Sequence, residues 1–202
     1  MATVTNNIET ATELVTVEQW AAIEPPPNYE LVDGFLKEKP AVAVWHDFLL
    51  FDLLVFLKNH IDARDLGKVG GATTPLRISA HHGRKPDIFF IPKALYHLVG
   101  KNLFRGIPPL AIEIISPSNE REDRIPKKRE YASLGIGQYW IVDFPRRQIE
   151  VYELRDQPNV AREYVLAETV SGDAIFRPAF FPGLEIPLAK IWPVEFEDRT
   201  DD

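Results

Sequence analysis

Cysteine is absent from the 202 residues, so disulfides and thiolate metal sites are excluded and the chain suits a reducing compartment. Long apolar runs are missing too: the longest, Phe48 to Leu57, is interrupted by Asp52 and is too short to cross a bilayer. The opening stretch MATVTNNIETATE has acids where a secretory signal needs bases, so a cytoplasmic location with no membrane partner is expected. Net positive charge is also lacking. With 23 Lys and Arg against 30 Asp and Glu, the formal charge is -7, and any contact with nucleic acid must rely on a local basic patch or a bound cation. No repeat, glycine-rich phosphate loop or zinc-ligand spacing is visible.

What is present is apolar material for one substantial core, 45% hydrophobic and 11% aromatic. Residues 14–195 read as a single domain. Residues 1–13, polar and without period, are expected to be disordered, and 196–202 form an acidic tail. Thr16-Val17-Glu18-Gln19 has the form of a capping box that opens a short helix through Ala22, stopped by the prolines at 25, 26 and 27. Tyr29 to Lys37 reads as a hairpin turning at Asp33-Gly34, because that pair supplies the positive φ angles of a two-residue turn. From Val42 to Ala63 apolar residues recur at helical spacing around a wide face, which predicts a largely buried helix with His46 near its start. Thr73 to Ser79 alternates as a strand, and His81 to Arg84 reads as a solvated polar loop. A short helix is expected over Pro92 to Val99. Gln138 to Asp143 is a strong strand, Gln148 to Glu153 a half-exposed edge strand, and Arg162 to Leu166 a further strand. The apolar tail from Ala174 to Trp192 is expected to wrap the core.

The chemistry concentrates between Asp87 and Tyr131. Leu110 to Ile115, LAIEII, is a β-branched run with the composition of a central strand, and Glu113 interrupts it. A carboxylate buried there is costly unless a cation or hydrogen-bond donors meet it, so Glu113 is either a metal ligand or a solvent-facing residue on an edge strand. Asp87, between Pro86 and the apolar run Ile88 to Pro92, is either a strand-end acid placed for chemistry or part of a Pro-Asp turn. A helix is expected to begin near Asp123 as N-cap, with Pro126 in its first turn. Asp123, Lys127 and Tyr131 then share one face, and Lys127 either points back to Glu113 or belongs to a solvated helix end. His46 is either a packed histidine or a site residue. Two acids and a lysine so placed suit Mg²⁺ or Mn²⁺ and a phosphodiester substrate. Ser116 as a nucleophile lacks a Gly-x-Ser-x-Gly turn.

These residues together resemble a known family. Tyr29-Glu30-Leu31-Val32-Asp33-Gly34, Pro86-Asp87, Glu113-Ile114-Ile115-Ser116-Pro117-Ser118, Asp123 with Lys127 and Tyr131, and Gly135-Ile136-Gly137-Gln138-Tyr139-Trp140-Ile141-Val142-Asp143 occur in the order seen in the Uma-two family of restriction endonucleases, in the PD-(D/E)XK nuclease superfamily. The resemblance spans roughly residues 16 to 155. It implies an α/β (α+β) restriction-endonuclease-like core, a central mixed β-sheet flanked by helices, with an extra N-terminal hairpin and C-terminal strands. It further implies a divalent metal held by Asp87 and Glu113, with Glu30 a further acid near the site and His46 a recurrent family histidine. The superfamily lysine stands two positions after the glutamate, where this chain has Ile115, so the resemblance implies that Lys127 has taken over from the following helix. Gln138 stands where many relatives carry an acid. The expected activity is metal-dependent endonucleolytic hydrolysis of DNA. The alternative is a nuclease-fold protein that binds or regulates without cleaving, as a homodimer joined along a sheet edge.

Overall fold

The computed structural model describes residues 14–23, 29–41, 43–116 and 119–193. The readings of 1–13, of the prolines at 25 to 27 and of the acidic tail 196–202 lie outside the described residues. At the centre of the described residues is a six-stranded sheet in the order β10-β9-β8-β7-β6-β3. β3 is Gly67–Gly71, β6 Ile88–Pro92, β7 Leu110–Ile115, β8 Gln138–Asp143, β9 Gln148–Arg155 and β10 Glu163–Ser171. β7 and β8 are its one parallel pair, and the other neighbours run antiparallel, so the sheet is mixed. A parallel pair needs a crossover, and the helical segment 120–134 supplies it. All six residues of β7 are buried, which accounts for the continuous apolar run and isolates Glu113 within it.

Each face of the sheet has its own cover. On one, α2 (Val44–Ala63) lays Leu49, Leu53, Leu57 and Ile61 on Ile88, Ile112, Ile114, Trp140 and Val142. The tail closes that layer with the short pair β11 (Ile175–Phe176) and β12 (Ile186–Pro187), and with Phe181, Leu184 and Ile191. On the other face, Tyr131 and Ile136 pack with Phe89, Ala111, Ile115, Tyr139 and Ile141. A second sheet, order β2-β1-β5-β4, is built from β1 (Tyr29–Val32), β2 (Phe35–Glu38), β4 (Leu76–Ser79) and β5 (His82–Arg84). α1 (Val17–Ala22) packs on it, Val17 and Trp20 clustering with Leu31 of β1, and begins at the expected capping box, with Gln19 N–H donating to Thr16 Oγ1 at 3.2 Å. Asp33 and Gly34 both have positive φ, as the hairpin turn requires.

Several expectations are corrected. α2 buries one stripe only: Val44, Phe48, Phe51 and Val55 are exposed because a single face meets the sheet. His82 to Arg84 is a strand, not a loop, and His82 is half-buried between Asp33 (3.3 Å) and Glu130 (3.3 Å). β4 is shorter than Thr73 to Ser79, and β9 is not an edge, because β10 pairs along its full length. Asp123 is not an N-cap. The helical segment starts at Glu120, after a turn in which the Ser116 amide donates to Asn119 Oδ1 at 2.7 Å. Glu120–Glu122 (α3) and Lys128–Leu134 (α4) are joined by one π-helical turn, Asp123–Lys127. Pro126 therefore sits inside the helical segment instead of opening it. Its missing N–H and its ring disrupt regular α-helical bonding, and the wider turn accommodates both.

Candidate active site

Asp87 enters β6 and Glu113 lies within β7. The antiparallel register pairs Ile88 with Ile112 and Phe89 with Ala111, so one further step sets Asp87 opposite Glu113. The Ile114 amide donates to Asp87 Oδ2 at 2.8 Å, which fixes the aspartate beside β7. His46, on the first turn of α2, reaches the same oxygen with Nε2 at 3.2 Å. Lys39, just beyond β2, stands 3.8 Å from Asp87 Oδ1. Burial pushes the Asp87 carboxyl up, but the His46 hydrogen bond and the Lys39 and Lys127 charges outweigh it and hold it well below the usual carboxylate range. Burial pushes the His46 imidazole down, yet Asp87 and Asp47 together raise it above its ordinary value.

Glu113 is fully buried and is met from the helical segment. Lys127 Nζ lies 2.9 Å from Glu113 Oε2 and 2.8 Å from Asp123 Oδ1, and the Tyr131 hydroxyl donates to Glu113 Oε1 at 2.7 Å. The face shared by Asp123, Lys127 and Tyr131 is thus the one turned to the sheet, and the reading of Lys127 as a solvated helix end is excluded: the residue is 2% exposed. One ammonium thus faces two buried carboxyl groups. Burial, with Asp87 and Asp123 as neighbours, pushes Glu113 up to about 8 despite Lys127, and Asp123 is raised for the same reasons. Lys127 is held protonated well above the ordinary lysine value, its carboxylate partners overcoming burial.

Glu30 is near the site but engaged differently. Arg84 Nη1 donates to its Oε2 at 2.8 Å, and the Lys85 amide donates to its Oε1 at 3.1 Å. Burial raises its carboxyl, while Lys127, Lys39 and Arg84 outweigh burial and bring it down to about 2. Arg84, 1% exposed, also holds Glu130 (2.7 Å) and Glu122 (2.9 Å), tying the second sheet to the helical segment. A cleft of about 470 Å³ opens here, lined by Glu30, Lys37, Lys39, Arg84, Arg121 and Lys127 among others. Of the lysines in its wall, Lys39 reaches Asp87, Lys127 reaches Glu113 and Lys37 pairs with Glu122 at 3.2 Å.

The structure thus brings Asp87, Glu113, Lys127 and His46 together and leaves Glu30 at the margin, bound to Arg84. The Ser116 hydroxyl donates to Asn119 Oδ1 at 2.8 Å within the turn that opens the helical segment. Lys39, Arg84 and Asp123 were not singled out as site residues by sequence reasoning. For Asp123 the i, i+4, i+8 spacing with Lys127 and Tyr131 was the available signal; Lys39 and Arg84 carry none in sequence.

The donor set suits a hard divalent cation. It is all carboxyl oxygen, with Asp123 Oδ2 unpartnered and buried. No three His, Cys, Asp or Glu side chains form a metal cage among the described residues, but Mg²⁺ takes one or two carboxylates and retains water for the rest.

The family model described as "Uma2: Putative restriction endonuclease" matches residues 14–189. One similar solved structure is described as a crystal structure of a putative nuclease belonging to DUF820 from Anabaena variabilis ATCC 29413. It shares 17% sequence identity with this chain at a TM-score of 0.67, covering 88% of this chain and 97% of that one. That identity supports the likeness of fold alone. No curated protein matches the chain.

Proposed function

Because the chain belongs to the Uma2 family, whose model spans most of its length, we propose that it is a metal-dependent endonuclease hydrolysing DNA phosphodiester bonds. The observation that carries this reading is the buried acid pair Asp87 and Glu113, with Lys127 2.9 Å from Glu113 on the wall of an open cleft. Asp87 and Glu113 would hold Mg²⁺ or Mn²⁺. A bound divalent cation supplies charge neutralisation at the phosphoryl oxygens and acidifies water. His46 and the Ile114 amide hold Asp87 by Oδ2, while Lys39 stands 3.8 Å from its Oδ1. Tyr131 fixes Glu113 from the opposite oxygen. Lys127 is placed to hold the attacking water or to stabilise charge on the phosphoryl group, and Lys39 to meet the substrate's backbone. Glu30 assists by clamping Arg84, and through it the helical segment that carries Lys127.

The test is a plasmid-nicking assay on wild type and Asp87→Ala with Mg²⁺, Mn²⁺ or a chelator. Cleavage that requires metal and disappears in the variant is expected. Equal or absent nicking by both proteins on single- and double-stranded DNA would overturn the reading. It would leave a nuclease-fold protein that binds without cutting, a reading favoured by one observation: Lys127 already sits between Glu113 and Asp123 as their counter-ion.

A further inference from the structure

Lys85 lies two residues before Asp87, yet its ammonium takes no part in the acid cluster. The residue is 2% exposed. Its Nζ stands over the face of Trp20, 5.0 Å from the ring centroid, and makes no hydrogen bond or ion pair among the described residues. The other buried cations are saturated: Arg84 meets Glu30, Glu122 and Glu130, and Lys127 meets Glu113 and Asp123. An ammonium with no ion pair of its own is open to a ligand that brings an anion.

The space for such a ligand is beside it. A cavity of about 340 Å³ has Thr73, Thr74, Lys85, Lys101 and Asn102 as its polar walls, with no acid among its lining residues. Two ammonium groups, two hydroxyls and a side-chain amide form a donor-rich surface that matches a tetrahedral oxyanion. Its position is set by the sheet. Gly71 pairs with Ile88, and a Cβ on Gly71 would stand 3.4 Å from the Asp87 carbonyl oxygen, so the turn bearing Thr73 and Thr74 leaves β3 beside Asp87. Lys39 links the two places: its Nζ donates to the Lys85 carbonyl at 3.4 Å and lies 3.8 Å from Asp87 Oδ1.

We propose that this cavity is a phosphate-binding subsite in which Lys85 and Lys101 hold a backbone phosphate of the nucleic-acid strand, flanking the phosphodiester presented to Asp87 and Glu113. The identity of the strand rests on the nuclease reading above; the anion site rests on Lys85 and the cavity. The subsite would fix the register of the strand and add a salt-sensitive share to its affinity.

The experiment is fluorescence anisotropy of a labelled DNA duplex and single strand across a salt series, with Ca²⁺ replacing Mg²⁺ to suppress cleavage. It is paired with calorimetric titration of inorganic phosphate and pyrophosphate, and with melting curves for each variant. Lys85→Gln is expected to weaken DNA binding about tenfold and to reduce the slope of log affinity against log salt by about one. Lys101→Ala, at an exposed position, should act in the same direction, and it carries the test if Lys85→Gln melts early. Lys58→Gln, on α2 and paired with Asp62, should change neither quantity. Unchanged slopes in folded Lys85 and Lys101 variants, whether or not wild type cleaves DNA, overturn the subsite. If wild type binds no DNA but binds pyrophosphate, and Lys85→Gln loses it, the nucleic-acid occupant is overturned while the anion site stands. Binding of neither ligand by wild type overturns both.

Discussion

Glu113 and Lys127 are interdependent in an unequal way. Removing the lysine leaves Glu113 and Asp123 buried without a counter-ion, so Lys127→Met should abolish cleavage and destabilise the protein by about 3–5 kcal/mol. Removing the glutamate leaves Lys127 paired with Asp123 and strands only the Tyr131 hydroxyl. Glu113→Ala should therefore also abolish cleavage but cost no more than about 1–3 kcal/mol. Urea titration of the two variants checks the order, and a reversed order would show that Glu113 is the structural member of the pair. Glu30 makes a second prediction through pH. Its carboxyl falls from 4.5 to about 2 on folding. Ionised Glu30 then contributes stability that is fully present above about pH 4.5 and lost as pH falls towards 2, on the order of 3 kcal/mol. The stability gap between wild type and Glu30→Gln should accordingly be wide at neutral pH and close at pH 2. A gap that does not change with pH would rule out the Arg84 clamp as its cause.

At the scale of elements, the helical segment 120–134 and the outer strand β3 show how local geometry serves the site and the fold separately. The π-helical turn accommodates Pro126 while Asp123 and Lys127 remain on the inner face, both buried. Gly135, with φ +95, ends the segment in the left-handed conformation that glycine adopts without strain, and the chain enters β8. β3 is different, since its backbone presses on β6. A Cβ on Gly67 would lie 2.2 Å from the Ile91 carbonyl oxygen, and Gly67 pairs with Pro92, at the end of β6 remote from Asp87. Gly67→Ala is expected to lower stability by about 1–3 kcal/mol, read as a fall in melting temperature, while nicking per folded molecule stays at the wild-type level. Loss of activity out of proportion to folded protein would mean that β3 transmits strain along β6 to the site.

Across the whole molecule, the tail completes the layer that α2 begins. Phe181 packs edge-on against Phe90 (5.2 Å between centroids), Phe180 (4.8 Å) and Trp140 (6.3 Å), so it joins the tail to two strands of the central sheet. Phe181→Ala should cost about 3–5 kcal/mol in chemical denaturation. A cost below about 1 kcal/mol would mean that the tail is not part of the cooperative core. The edges of the sheet are β3 and β10. β10 carries a register shift between Leu166 and Glu168, a device that discourages pairing with another strand, so a homodimer along that edge would have to accommodate it.

Much of this was legible in the residues because it depends on short-range physics. The capping box at Thr16, the Asp33-Gly34 turn, the β-branched runs of β7 and β8 and the glycine at 135 each act within a few positions. The order of Asp87, Glu113, Lys127 and Tyr131 along the chain was enough to place the acids on successive strands and the lysine on the helix that follows. What sequence could not supply was anything set by which surfaces meet. The apolar positions of α2 are spread too widely to reveal that only one stripe touches the sheet. His82 to Arg84 has the composition of a loop and becomes a strand because β1 and β4 offer partners on both sides. Lys39, Arg84 and Lys85 are ordinary basic residues in the chain; their burial, and the presence or absence of an anion beside each, arises only when separate elements close around them. Local propensity and period are properties of neighbouring residues, whereas desolvation and charge pairing belong to the assembled tertiary structure.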